Sequence, residues 1–242
     1  MNDWKHGIRK GIPIALGYLS VSFTFGVKAV NGGIPVWAAV LISLTNLTSA
    51  GQFAGTTLIL TGSSFVEIAL TTFVINIRYM LMSLALSQKL QQGTSRRQCC
   101  LFGFGITDEV FAVSSGETGK ISAAYMYGLI SLPIVGWTMG TALGAVASDL
   151  MPASLASAME LGLYAMFIAI IVPPAKESRA VALVIALAVG ISCILYYIPA
   201  FSCISSGFQV IIATVLAAAM GAVLYPVEQG RTNGGSNESN SN

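Results

Sequence analysis

Arg78 lies near the centre of a long apolar segment, Phe65 to Leu86, in the run Val-Ile-Asn76-Ile-Arg78-Tyr. A guanidinium at that depth in a bilayer is costly, so a chain keeps it only where a partner, a water-filled cavity or a substrate compensates it. Its planar fork donates two parallel hydrogen bonds and suits a carboxylate. That carboxylate is either a substrate's or, in a structural ion pair, one from the second polar cluster, Thr107-Asp108-Glu109. Adjacent residues cannot point the same way on a helix. One of Asp108 and Glu109 can therefore face a cavity while the other caps a broken helix or reaches the interface. A carboxylate in a poorly hydrated pocket takes up a proton readily, which makes either one a candidate proton carrier.

Other polar residues surround these two clusters. Asn76 is offset from Arg78 by about 200° on a regular helix and belongs to a different packing surface. Glu67 and Thr71 share the stripe of Arg78, and Glu67, near the segment end, reads as interfacial. Thr45, Thr48, Ser49 and Gln52 recur at helical spacing. Such stripes often only join helices, but Asn46 and Gly51 in the same stretch favour a pore or pocket lining. Glu160, four residues before Tyr164, is either a coupling residue or an interfacial glutamate. The candidate substrate-binding or coupling residues are thus Arg78, Asp108, Glu109, Gln52, Asn76, Glu160 and Ser49.

The elements that must position them belong to a membrane. Hydrophobic residues make up 55% of the 242 and charged residues 9%, with a mean hydropathy of +0.76. Soluble domains carry about 25% charged residues. No charge occurs between Lys28 and Glu67, between Lys120 and Asp149, or between Arg179 and Glu228. Each gap holds at least one span of roughly 20 residues. The chain is therefore an all-α polytopic membrane protein. A net charge of +2 is too small to suggest nucleic acid. The head with Lys5, Arg9 and Lys10 precedes an apolar run longer than a usual signal-peptide core, and reads as an uncleaved first span.

Cys99, Cys100, Cys193 and Cys203 match no metal-site spacing and read as reduced, apolar space-fillers. The lone His6 reads as solvated. Walker, dinucleotide, catalytic-triad and metal-ligand patterns are absent, so neither an enzyme nor a cofactor is expected. Residues 1–227 read as a single transmembrane transporter domain and 228–242 as a disordered polar tail.

Hydropathy and turn residues mark eight embedded segments: 11–28, 36–60, 64–88, 98–116, 122–147, 153–173, 180–199 and 206–226. With the N-terminus in the cytoplasm, eight full spans would place Lys89, Arg96 and Arg97 outside, against the positive-inside tendency. Six full transmembrane helices plus two broken or re-entrant segments, 36–60 and 98–116, return that loop and both termini to the cytoplasm. These two segments also have the polar centres, and irregular backbone at membrane depth needs cover by protein or water. Eight full spans remain the alternative. Gly128, Gly136, Gly140 and Gly144 form a close-packing face on segment 122–147.

The stretches Leu16-Gly17-Tyr18, Ser49-Ala-Gly51-Gln52-Phe53, Asn76-Ile-Arg78-Tyr-Met-Leu, Thr107-Asp108-Glu109-Val-Phe111 and Leu163-Tyr-Ala-Met-Phe167 together carry a family resemblance. The chain resembles the AzlC-type membrane proteins, the large subunits of two-component branched-chain amino acid exporters. The resemblance runs from about Gly11 to Val172. This sequence departs from the usual pattern in the polar approach Thr45-Asn46-Leu47-Thr48-Ser49, in Glu160 where Asp is common, and in Tyr79 where His is common. The resemblance implies a multi-pass permease of the bacterial inner membrane. It implies a small AzlD-like membrane subunit as partner, docked in this reading on the glycine face of 122–147. It also implies export of valine, leucine or isoleucine, driven by a proton or other coupling ion. A passive small-solute channel is the alternative, because polar side chains also line pores.

Overall fold

The computed structural model describes residues 3–152, 171–201 and 203–225, with Ser154, Ala158, Leu161, Ala165 and Ile168 between them. Glu160, most of the Leu163–Phe167 stretch and the 228–242 tail lie outside the described residues. The described residues fold as helices without a named strand: α1 Asp3–Asn31, α2 Val36–Thr45, α3 Ser49–Leu60, α4 Phe65–Ser87, α5 Arg96–Gly103, α6 Asp108–Gly116 and α7 Ala123–Ala147, then α8 Arg179–Tyr197 and α9 Ser206–Leu224. Helical positions also recur between 154 and 177. Five stretches are long and apolar enough to cross a membrane: α1, α4, α7 with its terminal 3₁₀ turn, α8 and α9.

The frame is a parallel pair, α1 beside α7. Along α1 the buried positions Gly7, Gly11, Ile14, Tyr18, Ser22, Phe25 and Ala29 repeat every three or four residues and form one seam. On α7 the glycines at 128, 136, 140 and 144 meet that seam. A Cβ at Gly11 would sit 2.6 Å from Leu129 O, and one at Gly140 would strike Ser22 Oγ. Pro133, buried in the same interface, has no N–H to offer Leu129 O within the helix, and that carbonyl packs on Gly11 instead. Without a hydrophobic force between helices in lipid, close backbone approach of this kind supplies the packing energy. The glycine face is therefore occupied by α1 of the same chain, which corrects its expected use as a subunit dock.

Two helix pairs are broken where the sequence is polar. Between α2 and α3 the backbone leaves helical geometry at Asn46 and again at Thr48. Turns with Gly33 (φ 101°) and Gly62 (φ 71°) bracket this pair. Leu60 packs against Gly32, so α3 ends at the level where α2 begins. Between α5 and α6 the break ends at Thr107, whose hydroxyl accepts from Val110 N and caps α6. At the other end Ser95 and Gln98 close a capping box on α5.

This second pair begins and ends near the head of α1. Lys89 Nζ donates to Ser115 O and Glu117 O, both at 2.5 Å. Lys120 Nζ donates to Gln88 O, and Leu90 pairs with Ile121 in a short parallel bridge. Glu117 meets His6 Nε2 at 3.2 Å and Lys10 Nζ at 3.6 Å, while Ser122 donates to Asp3. His6 is thus a hydrogen-bond partner of Glu117, its ring tilted against Tyr125, rather than a solvated side chain. The ordered head extends α1 well before residue 11.

α4 inverts the soluble pattern. It exposes Phe65, Phe73, Ile77, Met80, Leu81 and Leu84 and buries Glu67 and Thr71, as lipid on one side and protein on the other require. Glu67 accepts from Ser205 Oγ at 2.5 Å and from Gly207 N at 3.0 Å. It is a buried anchor for the start of α9, where the sequence suggested an interfacial residue. Cys100, Cys193 and Cys203 are exposed and fill no interior space, and Cys99 is half-buried.

Candidate functional site

The two breaks converge between α1, α4 and α7 on a cavity of about 1090 Å³. Its wall is mostly apolar, with Ile14, Val21, Leu47, Val74 and Ile75 among the lining residues. Its charged groups are Arg78, Asp108 and Glu109, and Tyr18, Ser49, Tyr79 and Thr107 are among the hydroxyl groups beside them. An apolar cleft with a small set of convergent polar groups is the usual form of a small-molecule site.

α4 delivers Arg78 to the cavity and the first turn of α6 delivers both carboxylates. Arg78 Nη2 lies 2.8 Å from Asp108 Oδ2, with side chains 44% and 30% exposed. The same Nη2 donates to Tyr79 OH at 3.3 Å, and the guanidinium lies 5.1 Å from the Tyr79 ring centroid. Among the described residues both of these contacts use Nη2, and Arg78 itself lines the cavity. The start of a helix favours carboxylates through its dipole and free N–H groups, which suits Asp108 and Glu109.

The adjacent carboxylates diverge as expected. Glu109 turns to α1, where Tyr18 Oη lies 2.5 Å from both Glu109 Oε2 and Thr107 Oγ1. A phenol has one proton. The Tyr18 hydroxyl therefore donates to one of these two oxygens at a time and bridges the two residues. Tyr18, found in sequence only as part of a motif, is therefore the residue that holds the second break. Its ring also meets Trp137 edge-on at 5.2 Å.

Gln52 is not a lining residue. It is 1% exposed, accepts from Trp137 Nε1 at 3.0 Å and donates to Ser43 Oγ at 2.6 Å. Ser43 in turn meets Thr141 Oγ1 at 2.6 Å. This chain pins the first break to α7, so Gln52 positions the site without touching its contents. Ser43, Trp137 and Thr141 are isolated polar or aromatic residues in apolar runs, and only the pairing of α2, α3 and α7 links them.

Asn76 lies on a different surface from Arg78, as helical spacing requires. Its amide packs on Gly51, where a Cβ would strike Oδ1. Asn76 Oδ1 and Ser49 Oγ are buried without a hydrogen-bond partner. Ser49 lines the cavity and Asn76 stands one helix face behind it. Arg78, Asp108, Glu109 and Ser49 therefore share one cavity, with Gln52 and Asn76 outside its wall.

The region that holds most of this cavity is also the region that matches known proteins. The family model described as AzlC protein matches residues 13–151, a stretch that contains every polar lining residue named above. The chain is 30% identical over 143 residues to the inner membrane protein YgaZ of Escherichia coli K12, covering 57% of this chain and 58% of YgaZ. It is 32% identical over 177 residues to an uncharacterized membrane protein of Archaeoglobus fulgidus, covering 72% and 76%. An uncharacterized membrane protein of Helicobacter pylori 26695 is 23% identical over 149 residues, 60% of this chain and 64% of that protein. The chain thus spans under two thirds of the length of YgaZ. No solved structure matches it. A family model over more than half of the sequence, and a relative matched over three quarters of its length, make the conclusion plain: this chain is a membrane protein of the AzlC family.

Proposed function

We propose that this chain is a secondary transporter that exports amino acids, valine, leucine and isoleucine foremost, together with a small AzlD-like membrane subunit. One observation carries the reading: an arginine–carboxylate pair in the wall of an otherwise apolar cavity, at the meeting of two broken helix pairs. Broken helices near the midplane are where transporters place substrate and coupling-ion sites. The substrate carboxylate takes the guanidinium nitrogens that Asp108 leaves uncovered. The substrate ammonium takes Asp108, and the aliphatic side chain packs against the apolar wall. Glu109, held by Tyr18, carries the coupling proton.

In this reading the chain has six full spans plus the re-entrant pairs α2–α3 and α5–α6, in a bacterial inner membrane with both termini cytoplasmic. Lys5, Arg9, Lys10, Lys89, Arg96, Arg97 and Lys120 fall at the end where α1 begins, in accord with the positive-inside tendency.

The test is efflux of preloaded radiolabelled valine, leucine and isoleucine from cells with and without the small subunit. Wild type and Asp108→Asn run side by side. Partner-dependent export that is lost in Asp108→Asn supports the proposal. Export that persists unchanged in both Asp108→Asn and Arg78→Ala refutes the assigned site. A protonophore separates transporter from channel: accumulation against a gradient collapses only in the transporter.

A further inference from the structure

Tyr18 stands between two groups with different work. Its hydroxyl lies 2.5 Å from Thr107 Oγ1 and 2.5 Å from Glu109 Oε2, and all three residues line the central cavity. Glu109 is the proton carrier of the export reading. Thr107 caps α6 by accepting from Val110 N, and it directly precedes Asp108, the partner of Arg78. Tyr18 and Thr107 are buried, so these groups must satisfy one another.

An aliphatic hydroxyl carries one proton and two acceptor lone pairs, and an ionised carboxylate only accepts. Two arrangements follow. With Glu109 ionised, Tyr18 donates to Glu109 and Thr107 donates to Tyr18. Thr107 then holds the Val110 N–H on one lone pair and keeps the other as a free acceptor. With Glu109 protonated at Oε2, that O–H donates to Tyr18, and Tyr18 turns its own proton to Thr107. Both lone pairs of Thr107 are then filled, by Tyr18 and by Val110 N–H, and only its proton is left to offer. One proton is gained at Glu109, and none leaves Tyr18 or Thr107. The exchange needs only the hydroxyls to rotate.

We propose that Thr107 is a second acceptor for the substrate ammonium, beside Asp108, and that Tyr18 is the positioning residue through which protonation of Glu109 withdraws it. An ammonium has three N–H groups to place and no acceptor of its own. It fits the first arrangement and meets a donor in the second. A bound proton and a bound substrate therefore oppose one another, as exchange of one for the other across a membrane requires. The other charged or titratable groups on the cavity wall are Arg78 and Tyr79 from α4 and Asp108 itself, while α7 presents Trp137, which does not titrate. Arg78 is engaged with Asp108 and Tyr79, and among the described residues Tyr18 hydrogen-bonds Thr107 and Glu109 alone. The inference rests on the export reading for its amino-acid substrate and for the proton on Glu109.

The test is valine binding to the purified chain in lipid nanodiscs, compared between mildly alkaline and acidic buffer. Wild type is expected to bind at least fivefold more weakly in acid. Tyr18→Phe is expected to reduce that dependence to less than twofold. Thr107→Val is expected to lose at least threefold in affinity in the alkaline buffer, and the dependence with it. Thr107→Ser, which keeps the hydroxyl, is expected to retain the wild-type profile. The full wild-type dependence in either Tyr18→Phe or Thr107→Val overturns the proposal. Infrared difference spectroscopy reads the relay with no substrate present: acidification should bring up a protonated-carboxyl band that Glu109→Gln removes and Tyr18→Phe shifts. A Glu109 band that Tyr18→Phe leaves in place overturns the relay. A wild type that binds no valine, leucine or isoleucine refutes the export reading instead, and the infrared band then decides the relay on its own.

Discussion

The Arg78–Asp108 pair can be separated into what it does for the fold and what it does for transport. At 2.8 Å, two unit charges interact by about 6 kcal/mol at an effective dielectric of 20 and by about 1.5 kcal/mol in water. Both side chains are partly exposed to the cavity, which places the pair below even the lower figure, at about 1 kcal/mol. Arg78→Gln and Asp108→Asn should each destabilise the protein by about that amount. The double variant should cost less than the sum of the two, with a coupling of about 1 kcal/mol in unfolding by detergent titration. Transport should behave differently. If Arg78 holds the substrate carboxylate, the double variant is no less stable than either single variant yet does not export, and valine efflux stays at least tenfold below wild type. A charge-neutral double variant that exports at more than half the wild-type rate would show that Arg78 is only a strut, and the substrate assignment would fall.

Three further outcomes follow from the packing and from the charged cluster at the head of α1. Gly140→Leu drives a side chain into Ser22 and Leu19 of α1 and should abolish the monodisperse peak in size-exclusion chromatography, whereas Gly17→Ala, with nothing within 4 Å of its Cβ, should keep it. Gln52→Ala strips Trp137 Nε1 of its acceptor and Ser43 of a donor, which should cost about 2–3 kcal/mol in the same detergent titration. At Glu117, burial pushes the carboxyl pKa up, but hydrogen bonds to His6 and Tyr125 and the charges of His6 and Lys10 outweigh it and hold it below its ordinary value. A lowered folded value gives stability that is present above the ordinary carboxylate range and lost as pH falls through that lowered value. Hydrogen exchange across residues 3–11 should therefore accelerate in acid, and Glu117→Gln should flatten that dependence.

Much of the site was legible because polar residues in an apolar run are rare enough to count. Arg78, Asp108 and Glu109 were singled out by composition alone, and the breaks at 46–48 and 104–107 fell inside the two segments that charge placement marked. The 200° offset correctly separated Asn76 from Arg78. What escaped was pairing. One helix face cannot announce its partner, so the glycines of α7 read as a dock for another subunit when they meet Trp4, Ala15, Leu19 and Phe23 of α1. Gln52 read as lining because its stripe is polar, but Trp137 and Ser43 arrive from elsewhere in the chain to consume its amide. Glu67 looked interfacial from its distance to the segment end, and only α9, more than a hundred residues later, buries it.

These pairings divide the molecule into parts held by different forces. α1 and α7 interlock through backbone-to-backbone approaches along most of their length, and such contacts have no nearby alternative arrangement of equal energy. Each member of that pair holds one broken tip: Tyr18 of α1 secures Thr107 and Glu109, and Trp137 of α7 secures Gln52. α4 stands apart. It presents a broad apolar face to its surroundings, and although its far end packs through Met82 and Leu86 into the apolar core, its ties along the rest of its length are largely polar: Arg78 to Asp108 at mid-length, and Glu67 to Ser205 and Gly207 at its start. Lipid is as apolar as leucine, so sliding that face costs little. Polar ties, unlike an interlocked seam, can be exchanged for equivalent ones with a substrate or with water. The element that carries the arginine is therefore the one whose contacts a carboxylate ligand can replace, and the frame around it is the one whose contacts it cannot.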